Sequence, residues 1–557
     1  MVCSDCIGHE HCIDPVTPLD HIKSSRQKCP YTHATCKPCQ KLPMLEEEIK
    51  RTSQRLKDLL SRHQELRTET NLLHSRIIRD LPVEVLCRIF QAYLSIDSPP
   101  ATKKKKLHPL TPSRLSSTAT PLKFGTVCRT WRQAAWSTPS LWTRIYVELG
   151  EDKEPYLHTQ YNIIKNWIQR SRSLPIEIYI NEKHLIDSEP TPDWVFSLQS
   201  DSNCDPRKGC LQVLAQSADR WRDVDLHVRR ILVEYLLSQA SDVVGGTTHK
   251  LCKFVLSSRA TTGRDSSDAP QLRPQYKIKP QQLEMLGSES RPGRLANNFD
   301  LSGVTYFKST FWPLRDCVAI LSEAPHLLSC HFDSVSESGP PQTLDASEIW
   351  HVTHDHIQQL SVSFEYSMRG PVTFDFITTP ALREFHCYTR SSRAYRDLSF
   401  GAFFERCGFS LTHLTLGVCL ESCRPTSLIS LLSRVPLLEH LTLHIGYNNE
   451  PVMKPFLEHL AATAEDVRRL DGFLPHLEYL TFEGSCSKVP WNIVPHVFGL
   501  PSDFGKPGRR PLKSFIASVE AKHYISMKPK GWTRETVSRV RELVDVGATI
   551  KFSAIAR

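Results

Sequence analysis

The apolar residues between Leu45 and Ile77 recur at alternating steps of four and three positions. Glu, Lys and Arg occupy most positions beside this stripe, and neither Pro nor Gly interrupts it. Such a heptad pattern predicts one long helix over residues 45–79. The helix either pairs as a coiled coil or packs as a single helix against its own protein. Thr52, His63 and Thr70 are polar members of the stripe that would weaken pairing but could fix its register. The stripe consists of Leu45, Ile49, Thr52, Leu56, Leu59, His63, Leu66, Thr70, Leu73 and Ile77.

Two shorter amphipathic segments follow, LPVEVLCRIF at 81–90 and LKFGTVCRTWRQAAW at 122–136. Their apolar residues repeat at the spacing of one helical face, and Pro82 stands where a first helical turn tolerates proline. Two helices this short have little core of their own, so part of their apolar surface is expected to meet something else. Between them, residues 97–121 are rich in Pro, Ser, Thr and Lys and predict an inserted surface loop.

Beyond about residue 150 the pattern changes to short segments of the form apolar-x-x-apolar-x-apolar. From Leu327 onward they recur at intervals of roughly 25 to 40 residues, which is typical of solenoid repeats. In several units a Pro precedes the first apolar residue by two positions, and 427–436 shows an amphipathic helix ending at such a Pro. The alternative is a non-repetitive α/β domain whose buried strands share a motif. The segments start at Leu251, Leu327, Ile357, Leu382, Leu411, Leu438, Leu477 and Leu512.

A helix, a turn and a parallel strand in each unit would bury the leucines and leave the intervening residues on an open face. These intervening residues are mostly polar, which suits a protein partner better than a small molecule. The candidate substrate-binding residues are His413, Thr415, Glu439, His440, Thr442, Glu478, Tyr479 and Thr481.

Composition narrows the function classes. The 557 residues carry a dispersed net charge of +9, which gives only weak support for a nucleic-acid partner, and none is expected. No apolar run approaches the roughly 18 residues of a membrane span, so no membrane is expected. The 18 cysteines are mostly scattered in apolar contexts and indicate reduced thiols, hence a cytoplasmic or nuclear protein, or both.

Chemistry-bearing motifs are scarce. The chain has no GxxxxGK[ST], GxGxxG, GxSxG or HExxH pattern, so we expect no catalytic residues, no cofactor and no enzyme activity. Residues 1–44 form a Cys/His-rich leader that is expected to be disordered. Its spacing offers only weak candidates for a zinc site, namely Cys29, His33, Cys36 and Cys39.

Leu-Pro, Glu-Val-Leu and Ile-Phe, followed by Val-Cys-x-x-Trp-Arg and Pro-Ser-Leu-Trp, resemble an F-box, the motif that docks substrate receptors on the Skp adaptor of cullin-type ubiquitin ligases. Segments 163–180 and 217–228 resemble a large fungal family of F-box proteins with leucine-rich-repeat-like tails. The resemblance implies a substrate receptor whose partners are a Skp-type adaptor, through it a cullin, and a substrate protein. The adaptor-binding residues it implies are Leu81, Pro82, Val85, Leu86, Ile89, Phe90, Val127, Cys128 and Trp131.

The expected fold is mixed α/β, with a long N-terminal helix, a helical F-box and an irregular leucine-rich-repeat-like α/β solenoid. The rival hypothesis is a scaffolding protein that uses the coiled coil, as a homodimer through residues 45–77, and the repeats, without any ligase. The inserted loop keeps this rival open. The predicted segments are the leader 1–44, the coiled-coil helix 45–79, the F-box 80–149 with its loop 97–121, a transitional segment 150–250 and the repeat domain 251–557.

Overall fold

The computed structural model describes most of the chain, and the structural statements below concern these residues. Within them, no helix is both long and apolar enough to cross a membrane. Cys29, His33, Cys36 and residues 97–119 lie outside them, and so does the side chain of Cys39. The described residues are 37–74, 81–96, 120–150, 154–182, 205–244, 251–257, 277–287, 298–336, 351–364, 374, 377–389, 400–417, 425–445, 450–464, 472–484, 489–506, 508–520 and 533–555.

The backbone divides into two compact units. The first consists of Met1–Leu185, Thr191–Val224 and Ser238–Lys250. The second consists of Ile186–Pro190, Asp225–Leu237 and Leu251–Arg557. The exact boundaries of the five predicted segments stay predictions.

The first unit begins with the long helix α1, Lys37–His74. The prediction of one helix is confirmed, although α1 starts eight residues before Leu45. Its heptad leucines are open, with Leu59, Leu66 and Leu73 exposed to 59%, 56% and 72%. The part of the chain that the structure describes therefore does not bury this stripe.

Three short helices follow, α2 at Val83–Ile96, α3 at Thr120–Val127 and α4 at Arg129–Trp136. The main-chain oxygen of Pro82 accepts from the amides of Val85 and Leu86, which starts α2. A 3-10 turn, Pro139–Trp142, follows α4.

The rest of the first unit is α/β. Strands β1 (Arg144–Leu149) and β2 (Ile176–Glu182) pair directly in parallel. The helix α5 (Glu154–Arg170) connects them in the chain. The helix α6 (Pro206–Ala215) and the strand β3 (Trp221–His227) follow. The side chains of β1 and β2 alternate between buried and half-buried, because one face of each strand enters the core. The helix α7 (Arg230–Val244) comes next in the chain. Both β3 and α7 have residues in the two units, since Asp225–Leu237 belongs to the second.

The second unit contains a large parallel sheet whose neighbouring strands follow chain order, from β4 to β7 and then β9, β11 and β12 to β16. The short strands β8 (Val352–Thr353) and β10 (Ile377–Thr378) pair separately. The sheet strands are β4 Lys253–Ser257, β5 Gln282–Leu286, β6 Tyr306–Thr310, β7 Ser329–Val335, β9 Gln359–Phe364, β11 Glu384–Thr389, β12 His413–Gly417, β13 His440–Ile445, β14 Tyr479–Gly484, β15 Ser514–Glu520 and β16 Thr549–Ile555. The helices are α8 Leu314–Glu323, α9 Phe400–Cys407, α10 Pro425–Leu432, α11 Glu450–Ala462, α12 Val494–Phe498 and α13 Arg534–Asp545.

All eight segments with the apolar-x-x-apolar-x-apolar motif form strands of this sheet, each beginning two residues after the motif starts. Parallel register aligns their apolar residues in rows, so that Phe385, Leu414, Leu441 and Leu480 pair side by side. Each of these side chains is at most 1% exposed, which makes the row part of the core. The mixed α/β class and the large parallel sheet are therefore as expected, while the leucine-rich-repeat solenoid stays a prediction.

Arg510 is a buried cation inside the second unit. Its guanidinium donates hydrogen bonds to the main-chain oxygens of Leu460 (2.7 Å), Phe473 (2.6 Å) and Leu474 (3.0 Å), and to the hydroxyl of Thr463 (2.9 Å). Burial lowers the pKa of Arg510 to about 10, which leaves the side chain charged at neutral pH. One side chain thereby satisfies the main chain at the end of α11 and the loop before β14.

We expect Arg510→Met to lower the free energy of unfolding by about 3 kcal/mol, because the apolar stem is kept while the carbonyls lose their donors. Chemical denaturation followed by circular dichroism would measure the loss. Arg541→Met, on the exposed side of α13, is the matched control and should change stability by less than about 0.5 kcal/mol. Equal stability of the two variants would contradict this account of Arg510.

Candidate functional site

The helices α2, α3 and α4 form a small aromatic core. Phe90 stacks on Phe124 with 4.2 Å between ring centroids and meets Trp131 edge-on at 5.1 Å. The thiol of Cys87 lies 2.8 Å from the hydroxyl of Thr138, which ties α2 to the end of α4. These contacts fix the three helices against one another without a second molecule.

The nine predicted adaptor-binding residues divide into two groups. Leu86 and Phe90 are 0% exposed, so they stabilise the segment from inside and offer no surface to a partner. Trp131 belongs to the aromatic core, and the Cys128 sulfur accepts from the Trp131 amide at 3.4 Å as the cap of α4. The residues with substantial accessible surface are Pro82, Val85, Ile89 and Val127, while Leu81 is half-buried.

Val85, Ile89 and Tyr93 form an exposed stripe along α2, because residues four apart lie above one another on a helix. They are exposed to 38%, 47% and 52%. Tyr93 also contacts Phe124 edge-on at 5.8 Å, which connects this exposed stripe to α3. Sequence analysis missed Tyr93, as well as the exposed Val83 and Leu122. The spacing of Val85, Ile89 and Tyr93 was the available signal for Tyr93.

The second candidate surface is the polar face of the sheet in the second unit. In-register pairing places Gln359, Glu384, His413, His440 and Tyr479 in one row across β9, β11, β12, β13 and β14. A second row, two residues further along the strands, contains Ser361, His386, Thr415, Thr442 and Thr481. We call these two rows, with the charged residues beside them, the polar face.

The first row is connected by side-chain contacts. The Gln359 amide donates to the Glu384 carboxylate at 2.9 Å. The rings of His413 and His440 stack with 4.0 Å between centroids, and those of His440 and Tyr479 with 4.2 Å. The rings of three neighbouring strands thus form one continuous stack, whose mutual contacts hold the side chains in place before a partner binds.

Most of the predicted substrate-binding residues lie together on this face. His413, His440, Thr442, Tyr479 and Thr481 are accessible. Thr415 lies in the second row with Thr442 and Thr481, but it is only 8% exposed and can add little contact area.

Glu439 and Glu478 directly precede β13 and β14, at the edge of the polar face. The Glu478 carboxylate accepts from the Lys513 ammonium at 2.6 Å. Glu384, Glu439 and Glu478 all act electrostatically on His440. His440, the middle ring of the stack, therefore lies near three carboxylates, one of which is paired with Lys513.

His331 on β7 extends the second row of the polar face, and neither it nor the residues of the face on β9 and β11 were predicted from the sequence. His331 pairs with Ser361, which pairs with His386. The motif segments that start at Leu327 and Leu382 carry the same alternation, so the signal was present in the sequence.

Burial is the first cause that lowers the pKa of His331, His386 and His440, because a half-buried imidazole resists taking up charge. For His440 the neighbouring His413 lowers the pKa further. On the same side, burial and the carboxylates of Glu284 and Asp333 raise the pKa of Tyr306 to about 12. These groups are neutral at neutral pH.

The F-box-like family matches residues 78–148 of the chain, the segment that holds α2, α3, α4 and all but the last residue of β1. This match supports the prediction of an F-box protein. No curated protein matches the chain.

The lowered pKa of His331 and His386 makes stability depend on pH. Both imidazoles bind protons more weakly in the folded protein than in the unfolded chain, where the pKa is about 6.5, so stability is lost as pH falls through that value. Between about pH 7 and about pH 5, the melting temperature of the double variant His331→Gln/His386→Gln should fall less than that of the wild type. The exposed His158→Gln is the control and should follow the wild type. The same pH dependence in all three proteins would contradict the account.

Proposed function

We propose that this protein is the substrate-recognition adaptor of a Skp-cullin-F-box ubiquitin ligase. In this proposal the F-box-like segment docks on a Skp-type adaptor, and the polar face of the sheet binds a substrate protein. The observation that carries the proposal is the F-box-like match at residues 78–148, together with the exposed apolar stripe of α2 within that segment.

The docking surface we propose is the exposed stripe of Val85, Ile89 and Tyr93. Leu86 and Phe90 hold the stripe in place from inside, since both pack within the three-helix core. Apolar residues on a helix that its own chain leaves open gain free energy when a partner covers them. Docking therefore requires no unfolding of the aromatic core.

The partner we propose for the polar face is a protein segment that carries Lys or Arg. Three carboxylates, Glu384, Glu439 and Glu478, surround the ring stack at His440, while the histidines there with lowered pKa are neutral. One of these carboxylates, that of Glu478, already pairs with the Lys513 ammonium. An extended basic segment would match this charge and could stack on the rings of Tyr479 and His440.

The alternative is a scaffolding protein without a ligase. The observation that favours it is the open heptad stripe of α1, which ligase docking does not require. The two functions differ in one respect, which is whether a Skp-type adaptor binds.

Ile89→Asp should weaken binding to a Skp-type adaptor by about thirtyfold or more, because a charge in the centre of an apolar contact costs about 2 kcal/mol or more. Co-purification, followed by calorimetric titration of the purified chain with the adaptor, would measure the loss. Arg88→Asp introduces the same residue about 100° further around α2 and is the matched control.

The ligase proposal fails if the wild-type chain does not retain the adaptor, or if Ile89→Asp retains it as well as Arg88→Asp does. In that case the scaffolding alternative is favoured. Circular dichroism spectra of the three proteins should coincide, since Ile89 is exposed.

We expect the full-length Glu439→Lys variant to bind fewer proteins in an affinity purification than the wild type does. The substitution reverses one of the charges near His440, and a basic segment would be repelled. Affinity purification with quantitative mass spectrometry would compare it with Glu323→Lys, an exposed position on α8. We expect the lost proteins to share basic segments, while the Skp-type adaptor is captured equally by both variants. Identical capture by both variants would contradict a role for the polar face.

A further inference from the structure

The seam of α1, from Ile49 to Leu73, has no cover within the described residues. Ile49, Leu56, Leu59, Leu66 and Leu73 are each at least 39% exposed. They follow heptad spacing over about 36 Å of helix. Leucines scattered singly over a surface would not form such a continuous stripe. We propose that two copies of the chain pair through this seam, and that the two helices run antiparallel. This proposal does not depend on the ligase function.

Two seam positions are threonines, and both can be buried at little cost. The hydroxyl of Thr52 donates to the main-chain oxygen of Glu48, and that of Thr70 donates to the main-chain oxygen of Leu66, each at 2.8 Å. Because the helix itself satisfies these hydroxyls, covering the seam leaves neither without a partner. The two threonine layers are therefore compatible with a dry interface, while His63, the third polar residue of the seam, adds an imidazole near its centre.

Charge favours the antiparallel orientation. In a parallel pair, Arg62 would face the partner's Arg67 on both sides, and Arg55 would face the partner's Leu60. Attraction between Lys41 and the partner's Glu46 would offset part of this repulsion at one end. The centre of a parallel pair would nevertheless hold like charges.

In the antiparallel pair, centred on Ser61, Arg55 faces the partner's Glu69. Because the pair is symmetric, this attractive contact occurs twice. Arg62 meets only its own counterpart, so one repulsive pair replaces two. Leu60, which is 44% exposed, meets the partner's Leu60 and adds an apolar contact beside the seam. These features are specific to a second copy in this orientation.

In this register every seam residue from Ile49 to Leu73 has a partner, although the two central layers pair Leu59 with the partner's His63. Leu56 lies opposite the partner's Leu66, and Ile49 opposite the partner's Leu73. Thr52 lies opposite the partner's Thr70, so the two threonines share a layer. A register shifted by one heptad towards the N-terminus would pair Leu42 with the partner's Leu73. It would also set Arg55 against the partner's Arg62 and Glu48 against the partner's Glu69, so charge disfavours it. The paired layers and the charges beside them favour a second copy of this chain as the partner of α1.

A consequence concerns the F-box-like segments. Each follows the C-terminal end of its own α1. In the antiparallel pair these two ends point in opposite directions, and the two Leu73 residues are about 36 Å apart. A parallel pair would bring them to within about 10 Å of each other.

The test is a charge exchange in the full-length chain, measured by analytical ultracentrifugation. The wild type should have twice the 63.5 kDa mass of one chain. Arg55→Glu alone and Glu69→Arg alone should each weaken the dimer by about tenfold, because two attractive pairs become repulsive. The double variant Arg55→Glu/Glu69→Arg should restore the wild-type dissociation constant.

Restoration is specific to the antiparallel dimer, since Arg55 and Glu69 are about 21 Å apart within one helix and cannot pair there. The control is Arg51→Glu/Glu65→Arg, which makes the same exchange at the same spacing off the seam and should leave the dimer unchanged. A monomeric wild type overturns the proposal. A double variant no tighter than the single variants overturns the antiparallel orientation. Both results are independent of whether a Skp-type adaptor binds.

Discussion

The second unit depends on in-register parallel pairing of its strands. Side chains alternate between the two faces of a strand, so a shift by one residue would exchange the buried and the open rows. Leu414 pairs with Leu441, and Leu441 pairs with Leu480, so that these leucines form one buried row. The same register places His413, His440 and Tyr479 on the other face. Core packing and the ring stack therefore have one cause. The apolar rows fix the register, and the register assembles the polar face.

The F-box-like segment uses a similar division within a single helix. Leu86 and Phe90 face the aromatic core, while Val85 and Ile89, each one position earlier, remain open. A helix with two adjacent apolar stripes can pack on its own chain with one and on another molecule with the other. This division explains why Val85, Leu86, Ile89 and Phe90, which are all apolar, have two different structural roles.

The sequence was sufficient for the elements but not for every side chain. Heptad spacing predicted α1, and the repeated motif predicted eight strands, because periodicity reports which face is buried. It did not separate Phe90 from Ile89, since that difference depends on where Phe124 and Trp131 pack. The strands β5, β6 and β16 lack the full motif and were missed. Likewise, the contribution of β7 and β11 to the polar face follows from strand pairing, which a single segment does not determine.

In the proposed function, the exposed stripe of α2 binds a Skp-type adaptor while the polar face stays free for a substrate. Hydrogen–deuterium exchange of the full-length chain, with and without a purified adaptor, tests both parts at once. We expect the adaptor to slow exchange in Val83–Ile96 and to leave β12, β13 and β14 unchanged. Unchanged exchange in Val83–Ile96, or protection confined to β12, β13 and β14, would contradict the account.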